Sequence, residues 1–297
     1  MQFQTPVTDF GSTFHLRTND KILALGSCFA QVIGKRLADR GMDVMLNPTG
    51  VLYNPASIFH TLDLAITIAQ GSEEAGSIAD RYALQSIDGK WYNWLAASLI
   101  SGTSREQSVA NTVVALQQLA KRVQEMTVLM LTFGTAHCYR HTADNGSSFI
   151  VTNCHKMPSR MFTEEVMDTA QIVANFSSIL DRMLLLQPQL RIIVSVSPYR
   201  YLKYGHHRSQ LSKARLLLAT DNIESRYSQV HYFPAYEILN DELRDYRFYA
   251  ADMVHPSEVA EQHIWQLFCN NYMDDTLRQQ IQQREKVLKA AAHRPIS

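Results

Sequence analysis

The chain has 297 residues, of which 46% are hydrophobic and 19% charged, so it can bury a large core and is not intrinsically disordered. Only 12 glycines and 9 prolines are present, which excludes collagen-like and Gly/Pro-rich low-complexity classes. Lys plus Arg and Asp plus Glu both number 28, and a chain without surplus positive charge is not a general nucleic-acid binder.

The cysteines and the apolar runs indicate the cellular setting. Four scattered cysteines, Cys28, Cys138, Cys154 and Cys269, are too few for a disulfide scaffold. The first ten residues contain no apolar stretch of the kind that secretory signals carry. Apolar runs such as 128–133 fall far short of the roughly 20 residues that span a bilayer. We therefore expect a cytoplasmic protein without membrane partners, and no motif calls for a cofactor. The oligomeric state is left open.

Strand-like and helix-like segments alternate along the chain. Five nearly continuous apolar runs predict buried parallel strands at Lys21–Leu25, Met42–Leu46, Thr127–Phe133, Ile192–Val196 and Gln229–Phe233. A helical period predicts helices at Phe29–Arg40, Glu106–Gln124, Thr163–Leu186, Ser209–Ile223 and Ser257–Ala292. The alternation predicts an α/β fold: a doubly wound, flavodoxin-like parallel sheet of five strands with helices on both faces.

One stretch interrupts this alternation. About fifty residues after the second strand, roughly 56–104, show no clear strand and contain Trp91 and Trp94. We interpret them as a helical insertion that acts as a lid and presents an indole to a ligand; the alternative is ordinary core helices with aromatic packing. Nothing marks a linker, so we expect one domain over 1–297 with a helical tail from about 270.

The first predicted strand ends in Gly26-Ser27-Cys28, directly before a helix. Ligands of doubly wound sheets bind beyond the carboxyl ends of the strands, which makes this turn a candidate site. A nucleophile here gains from the helix N-terminus, which favours developing negative charge. The structural alternative is a tight turn with Cys28 as a small apolar filler.

A second candidate follows the last predicted strand, where Asp252 precedes His255 by three residues. At this spacing on a turn, the carboxylate can accept from one ring nitrogen and leave the other facing a nucleophile. This arrangement forms the base and the orienting acid of a catalytic triad. Both candidates lie at the same edge of the predicted sheet.

Ordered motifs along the chain resemble one family. They are GSCFA (26–30), NPTGVLYNPASI (47–58), TFGTAHCY (132–139), NCHKMP (153–158), SVSPYR (195–200), LSKA (211–214) and DELRDYRFYAADMVHPS (241–257). These motifs are similar to those of the GSCFA-domain proteins, a largely bacterial group that resembles the SGNH/GDSL hydrolases. The resemblance covers about residues 1–270 and implies an SGNH-hydrolase-type fold and an ester-directed site.

Transferred residue by residue, this resemblance implies roles for individual side chains. Counting from Gly26 makes Cys28 the nucleophile, and a slip of one residue makes it Ser27; Asp252 and His255 match the acid and the base. Gly50 matches a backbone donor to the oxyanion. Ala136 occupies the place of an asparagine donor and departs from the pattern, so His137 or Asn153 is a candidate substitute. Further expected substrate contacts are Asn54, His155 and Arg200.

The sequence thus predicts acyl-ester hydrolysis or acyl transfer on an O-acylated small molecule or carbohydrate. Two alternatives stay open. The first is a catalytically inactive carbohydrate-binding module on the same fold, which the missing asparagine favours. The second is a zinc site built from the two adjacent pairs His137, Cys138 and Cys154, His155, whose nitrogen and sulfur atoms suit zinc.

Overall fold

The computed structural model describes residues 5–8, 10–12, 14–85, 88–143 and 146–292. Its strands are β1 (Lys21–Gly26), β2 (Asp43–Leu46), β3 (Ala83–Gln85), β4 (Trp91–Asn93), β5 (Val128–Phe133), β6 (His137–Thr142), β7 (Ser148–Val151), β8 (Phe162–Val166), β9 (Arg191–Val196) and β10 (Val230–Tyr232). Its α-helices are α1 (Cys28–Ala38), α2 (Pro55–Ala69), α3 (Ala75–Arg81), α4 (Arg105–Glu125), α5 (Thr169–Leu186), α6 (Gly205–Arg226), α7 (Ala235–Glu237), α8 (Glu258–Tyr272) and α9 (Asp275–Ala292).

A parallel sheet of five strands forms the centre, in the order β10-β9-β5-β1-β2. In register, Leu23 of β1 lies opposite Met45 on one side and Leu129 on the other. When these five strands are numbered 1 to 5 in chain order and counted from the β2 edge, they follow the order 2-1-3-4-5, which is that of flavodoxin-like folds. The prediction of a doubly wound five-stranded α/β fold is therefore confirmed, and each predicted strand is present within one or two residues.

The two faces of the sheet bury two separate cores, because successive strand side chains point to opposite sides. Leu23 and Leu25 of β1 belong to the core that α2, α4, α5 and α6 cover. Ile22 and Ala24 belong to the core that α1 and α8 cover. Helices on both faces leave the carboxyl ends of the strands as the open edge where side chains can meet a ligand.

Two predicted helices differ from the structure, one in its start and one in its continuity. The helix predicted over Thr163–Leu186 begins only at Thr169, where Asp168 and Gln171 form a capping box; residues 162–166 form β8 instead. The helix predicted over Ser257–Ala292 is divided, because Met273 is extended and the Asp274 carboxylate accepts from the N–H of Leu277, which starts α9. In both cases a capping aspartate gives the helix a new N-terminus.

The first part of the stretch after β2 packs in the core instead of forming a lid. Helix α2 buries Ile58, Leu62 and Ile66 in the core that also contains Leu23 and Leu25 of β1, so it is a packed crossover helix. A short antiparallel hairpin, β3 with β4, follows α3. Trp94 is 4% exposed and packs edge-on against Phe162, so the prediction that it faces a ligand is wrong and the packing alternative holds for it.

A third, antiparallel sheet in the order β7-β6-β8 follows β5, where the sequence predicts no strand. No helix in the described part of the chain is both long enough and apolar enough to cross a bilayer.

Candidate active site

The turn between β1 and α1 is fixed by a glycine. Gly26 has φ +145°, and a Cβ there would lie 2.3 Å from the carbonyl oxygen of Thr132 on the neighbouring strand, so no other residue fits. The Gly26 N–H donates to Asn47 Oδ1 at 2.9 Å, and the Ser27 N–H donates to the Thr132 carbonyl at 3.2 Å. The ends of β1, β2 and β5 are thus tied together around the predicted nucleophile turn.

The two candidate nucleophiles differ in environment. Ser27 is the N-cap of α1 but makes no side-chain capping bond; it is 3% exposed, and its Oγ is buried without a hydrogen-bond partner among the described residues. Cys28 is the first residue of α1 and is partly exposed. Its Sγ lies 3.8 Å from the hydroxyl of Tyr53. The turn therefore buries the serine hydroxyl and brings the thiol to the surface.

Asp252 and His255 form the predicted pair. Asp252 Oδ2 lies 2.5 Å from His255 Nδ1, while Oδ1 accepts the backbone N–H groups of Val254 (2.9 Å) and His255 (3.0 Å). These three bonds hold the pKa of Asp252 at about 2, the two backbone bonds being the largest causes. The carboxylate stays charged and fixes the ring, so Nδ1 is engaged and Nε2 is the nitrogen available to a reactant.

Tyr199 packs against the base of this pair, His255. Its ring meets the His255 ring edge-to-face at 4.8 Å between centroids, and its hydroxyl donates to Glu261 at 2.9 Å. Burial and Glu261 raise the pKa of Tyr199, and charges on Cys28 and Asp252 raise it further. The edge-to-face contact with His255 and the hydrogen bond to Glu261 together fix the Tyr199 ring beside the histidine.

Arg200, which sequence reasoning assigned to the substrate, holds the loop that carries His255. Its backbone N–H donates to the carbonyl of Val254 at 3.1 Å, and its guanidinium reaches the carbonyl of Met253 at 3.4 Å. The guanidinium also stacks 3.9 Å from the centre of the Tyr249 ring. Because Met253 has φ +59°, this bracing stabilises a left-handed residue between Asp252 and His255.

The predicted backbone donor at Gly50 is already engaged. Its N–H donates to the carbonyl of Asn47 at 2.8 Å, and a substrate oxygen would have to compete with that bond. Gly50 has φ +102°, and a Cβ there would lie 2.2 Å from the Cβ of Ala97. The glycine is therefore required by the close approach of the hairpin region to this turn.

The other predicted contacts have protein partners. Asn54 Oδ1 caps α2 through the N–H of Ser57, and Asn153 Oδ1 accepts the N–H of His155. His155 is buried: its Nε2 bonds the carbonyl of Asn93 at 2.8 Å and its Nδ1 bonds Ser98 at 3.0 Å, while burial lowers its pKa. Both ring nitrogens of His155 serve the local fold.

His137 also has structural partners. It begins β6, so it lies in a strand and not in the predicted loop. Its Nδ1 lies 2.6 Å from Glu164 Oε1, and its ring stacks on Tyr204 at 4.2 Å.

The zinc alternative is contradicted by these contacts. Cys138 follows His137 in β6, and alternation along a strand sends the two side chains to opposite faces. His155 has no free ring nitrogen, and in the described ranges no group of three or more His, Cys, Asp or Glu side chains is arranged to hold a metal ion.

Sequence reasoning missed two residues close to the site. Tyr53, within the motif at 47–58, places its hydroxyl beside Cys28. Lys213, within the LSKA motif, is 2% exposed and donates to the carbonyls of Gly134 (2.7 Å) and Ser197 (2.6 Å), which follow β5 and β9. Burial lowers the pKa of Lys213 to about 7. The motifs marked both positions, but spacing alone assigned them no role.

Comparison with known proteins gives a family and two structural likenesses. The chain is similar to a Clostridium thermocellum family 3 carbohydrate esterase, with 12% identity and a TM-score of 0.34 over 87% of this chain and 97% of that one. It is also similar to a family 3 carbohydrate esterase from Talaromyces cellulolyticus, with 9% identity and a TM-score of 0.34 over 88% and 98%. No curated protein matched. A sequence model of the GSCFA family matches residues 21–268, and the chain therefore belongs to the GSCFA family.

Proposed function

We propose that this chain cleaves or transfers an acyl ester, with Cys28 as nucleophile, His255 as general base and acid, and Asp252 as the residue that orients His255. One observation carries the proposal: the Asp252 carboxylate binds Nδ1 of a half-exposed histidine and two backbone N–H groups of the same loop. That is the arrangement a base needs if its other ring nitrogen is to take a proton.

The exposure of the two candidates favours Cys28 over Ser27 as the nucleophile. The Ser27 hydroxyl is buried, so an ester cannot reach it without a rearrangement of the turn. Cys28 is partly exposed and occupies the first position of α1, so an ester can reach its thiol and the first backbone N–H groups of the helix lie beside it. Ser27 stays the alternative nucleophile, and the Ser27→Ala variant separates the two.

The chemical steps follow from these roles. His255 Nε2 takes the thiol proton, and the thiolate attacks the ester carbonyl carbon while the π electrons move to the carbonyl oxygen. The tetrahedral intermediate collapses, the C–O bond to the alcohol breaks, and His255 returns the proton to the leaving oxygen. Water then attacks the thioester carbonyl carbon as His255 takes a proton from it; the C–S bond breaks, the acid leaves, and His255 returns the proton to the Cys28 sulfur. An acceptor alcohol in place of water gives acyl transfer by the same steps. The N–H of Cys28, which has no intrahelical acceptor, is one donor to the oxyanion.

Acylated carbohydrates are the substrates that we propose to test first, together with small O-acylated molecules. The same proposal includes a cytoplasmic setting, where a reducing environment keeps the thiol reduced; among the described residues none of the four cysteines forms a disulfide. Neither the acyl group nor the acceptor needs a cofactor in this mechanism.

The deciding experiment is an esterase screen of the full chain on p-nitrophenyl acyl esters and acetylated sugars. Cys28→Ala and His255→Ala should each lose at least a hundredfold in kcat/KM, and Ser27→Ala should keep most activity. Cys269→Ala, a cysteine substitution in α8, is the matched control. The reverse ranking of the Ser27 and Cys28 variants would make Ser27 the nucleophile. Sugar binding without hydrolysis of any ester would favour the carbohydrate-binding module.

Alkylation gives an independent measurement. Iodoacetamide at neutral pH should modify Cys28 before the other cysteines. Burial raises the pKa of Cys138 to about 11 and also raises that of Cys154, so both thiols react slowly. Preferential labelling of Cys154 or Cys269, read by peptide mass spectrometry, would contradict the assignment of Cys28.

A further inference from the structure

An acyl-transfer site needs hydrogen-bond donors at the carbonyl oxygen, where negative charge develops. The chain lacks a side-chain donor at the position that the family resemblance assigns. Ala136 is fully buried and has no donor in its side chain. Its backbone N–H already donates a hydrogen bond to Ser212 Oγ at 2.7 Å. The Gly50 N–H is bound to Asn47. The Cys28 N–H at the start of α1, which has no acceptor within the helix, is left as a backbone donor.

The Tyr53 hydroxyl lies where a second donor is needed. It is 3.8 Å from Cys28 Sγ, and the tyrosine is 45% exposed, so the hydroxyl and the thiol face the same accessible space. After attack, the oxyanion is two covalent bonds from Sγ. An oxyanion directed towards the phenol is then within the roughly 2.5–3.0 Å that O–H···O hydrogen bonds need.

The main chain around Tyr53 is fixed on both sides. Its carbonyl oxygen accepts the N–H groups of Gly134 (2.8 Å) and Thr135 (2.9 Å), which follow β5. Directly after it, Asn54 caps α2 and Pro55 occupies the first turn of that helix. A donor held at its backbone in this way loses little conformational freedom on binding a substrate, which is what preorganised catalytic donors require.

The protonation state suits a donor and not a base. Burial of the phenol, with the charge and hydrogen bond of Cys28 as further causes, raises the pKa of Tyr53 to about 12. The hydroxyl therefore keeps its proton over the neutral range and does not compete with His255 for the thiol proton.

Two other polar groups nearby are less suitable. Asn47 Nδ2 and Ser27 Oγ have no hydrogen-bond partner among the described residues, but both atoms are buried. A substrate oxygen would have to displace the turn to reach either one, whereas it reaches Tyr53 directly from solvent.

We infer that the Tyr53 hydroxyl is a catalytic residue that donates a hydrogen bond to the acyl carbonyl oxygen as Cys28 attacks. This inference rests on the proposed function. Tyr53 transfers no proton: its O–H bond stays intact while the carbonyl π electrons move to oxygen and return when the C–O bond to the alcohol breaks. With the Cys28 N–H it supplies two donors, one from the backbone and one from a side chain.

The test is Tyr53→Phe, which keeps the ring and the backbone bonds and removes only the hydroxyl. We expect kcat on p-nitrophenyl acetate to fall on the order of a hundredfold with KM nearly unchanged, because the bond strengthens only in the transition state. Inhibition by a trifluoromethyl ketone, which forms a tetrahedral oxyanion on the thiol, should weaken at least tenfold. Alkylation of Cys28 by iodoacetamide, which forms no oxyanion, should keep its rate within twofold.

Tyr227→Phe is the matched control, because Tyr227 follows α6 and precedes β10, at the opposite edge of the sheet. Tyr53→Phe with wild-type kcat and ketone inhibition would overturn the inference and leave the proposed function intact. Equal losses in ester hydrolysis and in alkylation would also overturn it, because they would show that Tyr53 acts on the thiol. Full activity of Cys28→Ala would reject the proposed nucleophile, and the assignment of Tyr53 with it.

Discussion

Asp252→Asn is the most specific test of the Asp252–His255 pair. In the native loop, Oδ1 accepts two backbone N–H groups and Oδ2 contacts His255 Nδ1. In the variant, the amide oxygen must stay with the two N–H donors, because an NH₂ group there would face donors only. The amide NH₂ then points at Nδ1 and donates to it. This forces the ring hydrogen onto Nε2, the nitrogen that has to accept the thiol proton.

The size of the effect follows from that tautomer. The equivalent aspartate-to-asparagine change in a serine protease triad lowers kcat about 10⁴-fold with the geometry intact, and we expect a loss of the same order here, about 5 kcal/mol in activation free energy. The fold should be unaffected, since both backbone bonds survive and the side chain is about half exposed. The pKa of about 2 for Asp252 also means that the acid limb of a pH–rate profile above pH 4 does not come from this carboxyl.

The assay is initial-rate hydrolysis of p-nitrophenyl acetate between pH 5 and 9, with thermal unfolding measured in parallel. Asp245→Asn is the matched control, because Asp245 is also half-exposed, caps a short helix through the Arg247 N–H and has a lowered pKa. It should change kcat less than twofold. An Asp252→Asn protein that unfolds normally and keeps kcat within tenfold of wild type would refute the orienting role.

Three further outcomes are expected. Gly26→Ala should lower the free energy of unfolding by about 3 kcal/mol or more in urea, because an alanine at φ +145° is strained and its Cβ overlaps a neighbouring carbonyl; a loss below 1 kcal/mol contradicts this. Burial lowers the pKa of His155, so the folded protein binds fewer protons than the unfolded chain below about pH 6.5. The free energy of unfolding should therefore fall as the pH drops through that range, and it should fall less steeply in His155→Gln. Lys213→Met should destabilise the protein by about 2 kcal/mol and lower kcat, because two strand-end carbonyls lose their donor; unchanged stability and kcat would remove Lys213 as a positioning residue.

The central sheet was predictable because its strands are buried on both sides. A run such as VLMLTF in β5 is apolar at nearly every position, and this signal does not depend on the rest of the fold. The small sheet formed by β6, β7 and β8 gives no such signal. Its sequences, HCYRHT in β6 and FTEEV in β8, are largely polar because most of their side chains are only partly buried or exposed. Ion pairs such as Arg140 with Glu165 lie on this sheet. Polar antiparallel strands are not distinguishable from loops or helix ends by periodicity alone.

The candidate site was predictable where its residues follow the end of a strand, as Cys28 does, or stand at a recognisable spacing, as Asp252 and His255 do. Cys28 and the Asp252–His255 pair came from the rule that ligands bind at the carboxyl ends of parallel strands. Tyr53 and Lys213 could not be found in this way. Tyr53 lies seven positions beyond the end of β2, and its proximity to Cys28 exists only after the loop folds back. Lys213 lies within α6, where a lysine is normally a solvent-exposed residue, and its burial depends on carbonyls from two other elements.

The departure at Ala136 and the position of Tyr53 have one physical explanation. Ala136 is fully buried and hydrogen-bonded to α6 through Ser212, so a longer side chain there would meet packed protein. In the same loop, the backbone N–H groups of Gly134 and Thr135 donate to the carbonyl of Tyr53. The buried ammonium of Lys213 donates to the carbonyl of Gly134. The loop after β5 thus contributes main-chain support in place of a side-chain donor, and the donor that it supports comes from the loop after β2. Loss of the asparagine therefore need not mean loss of catalysis, because a neighbouring loop supplies a hydroxyl beside the thiol.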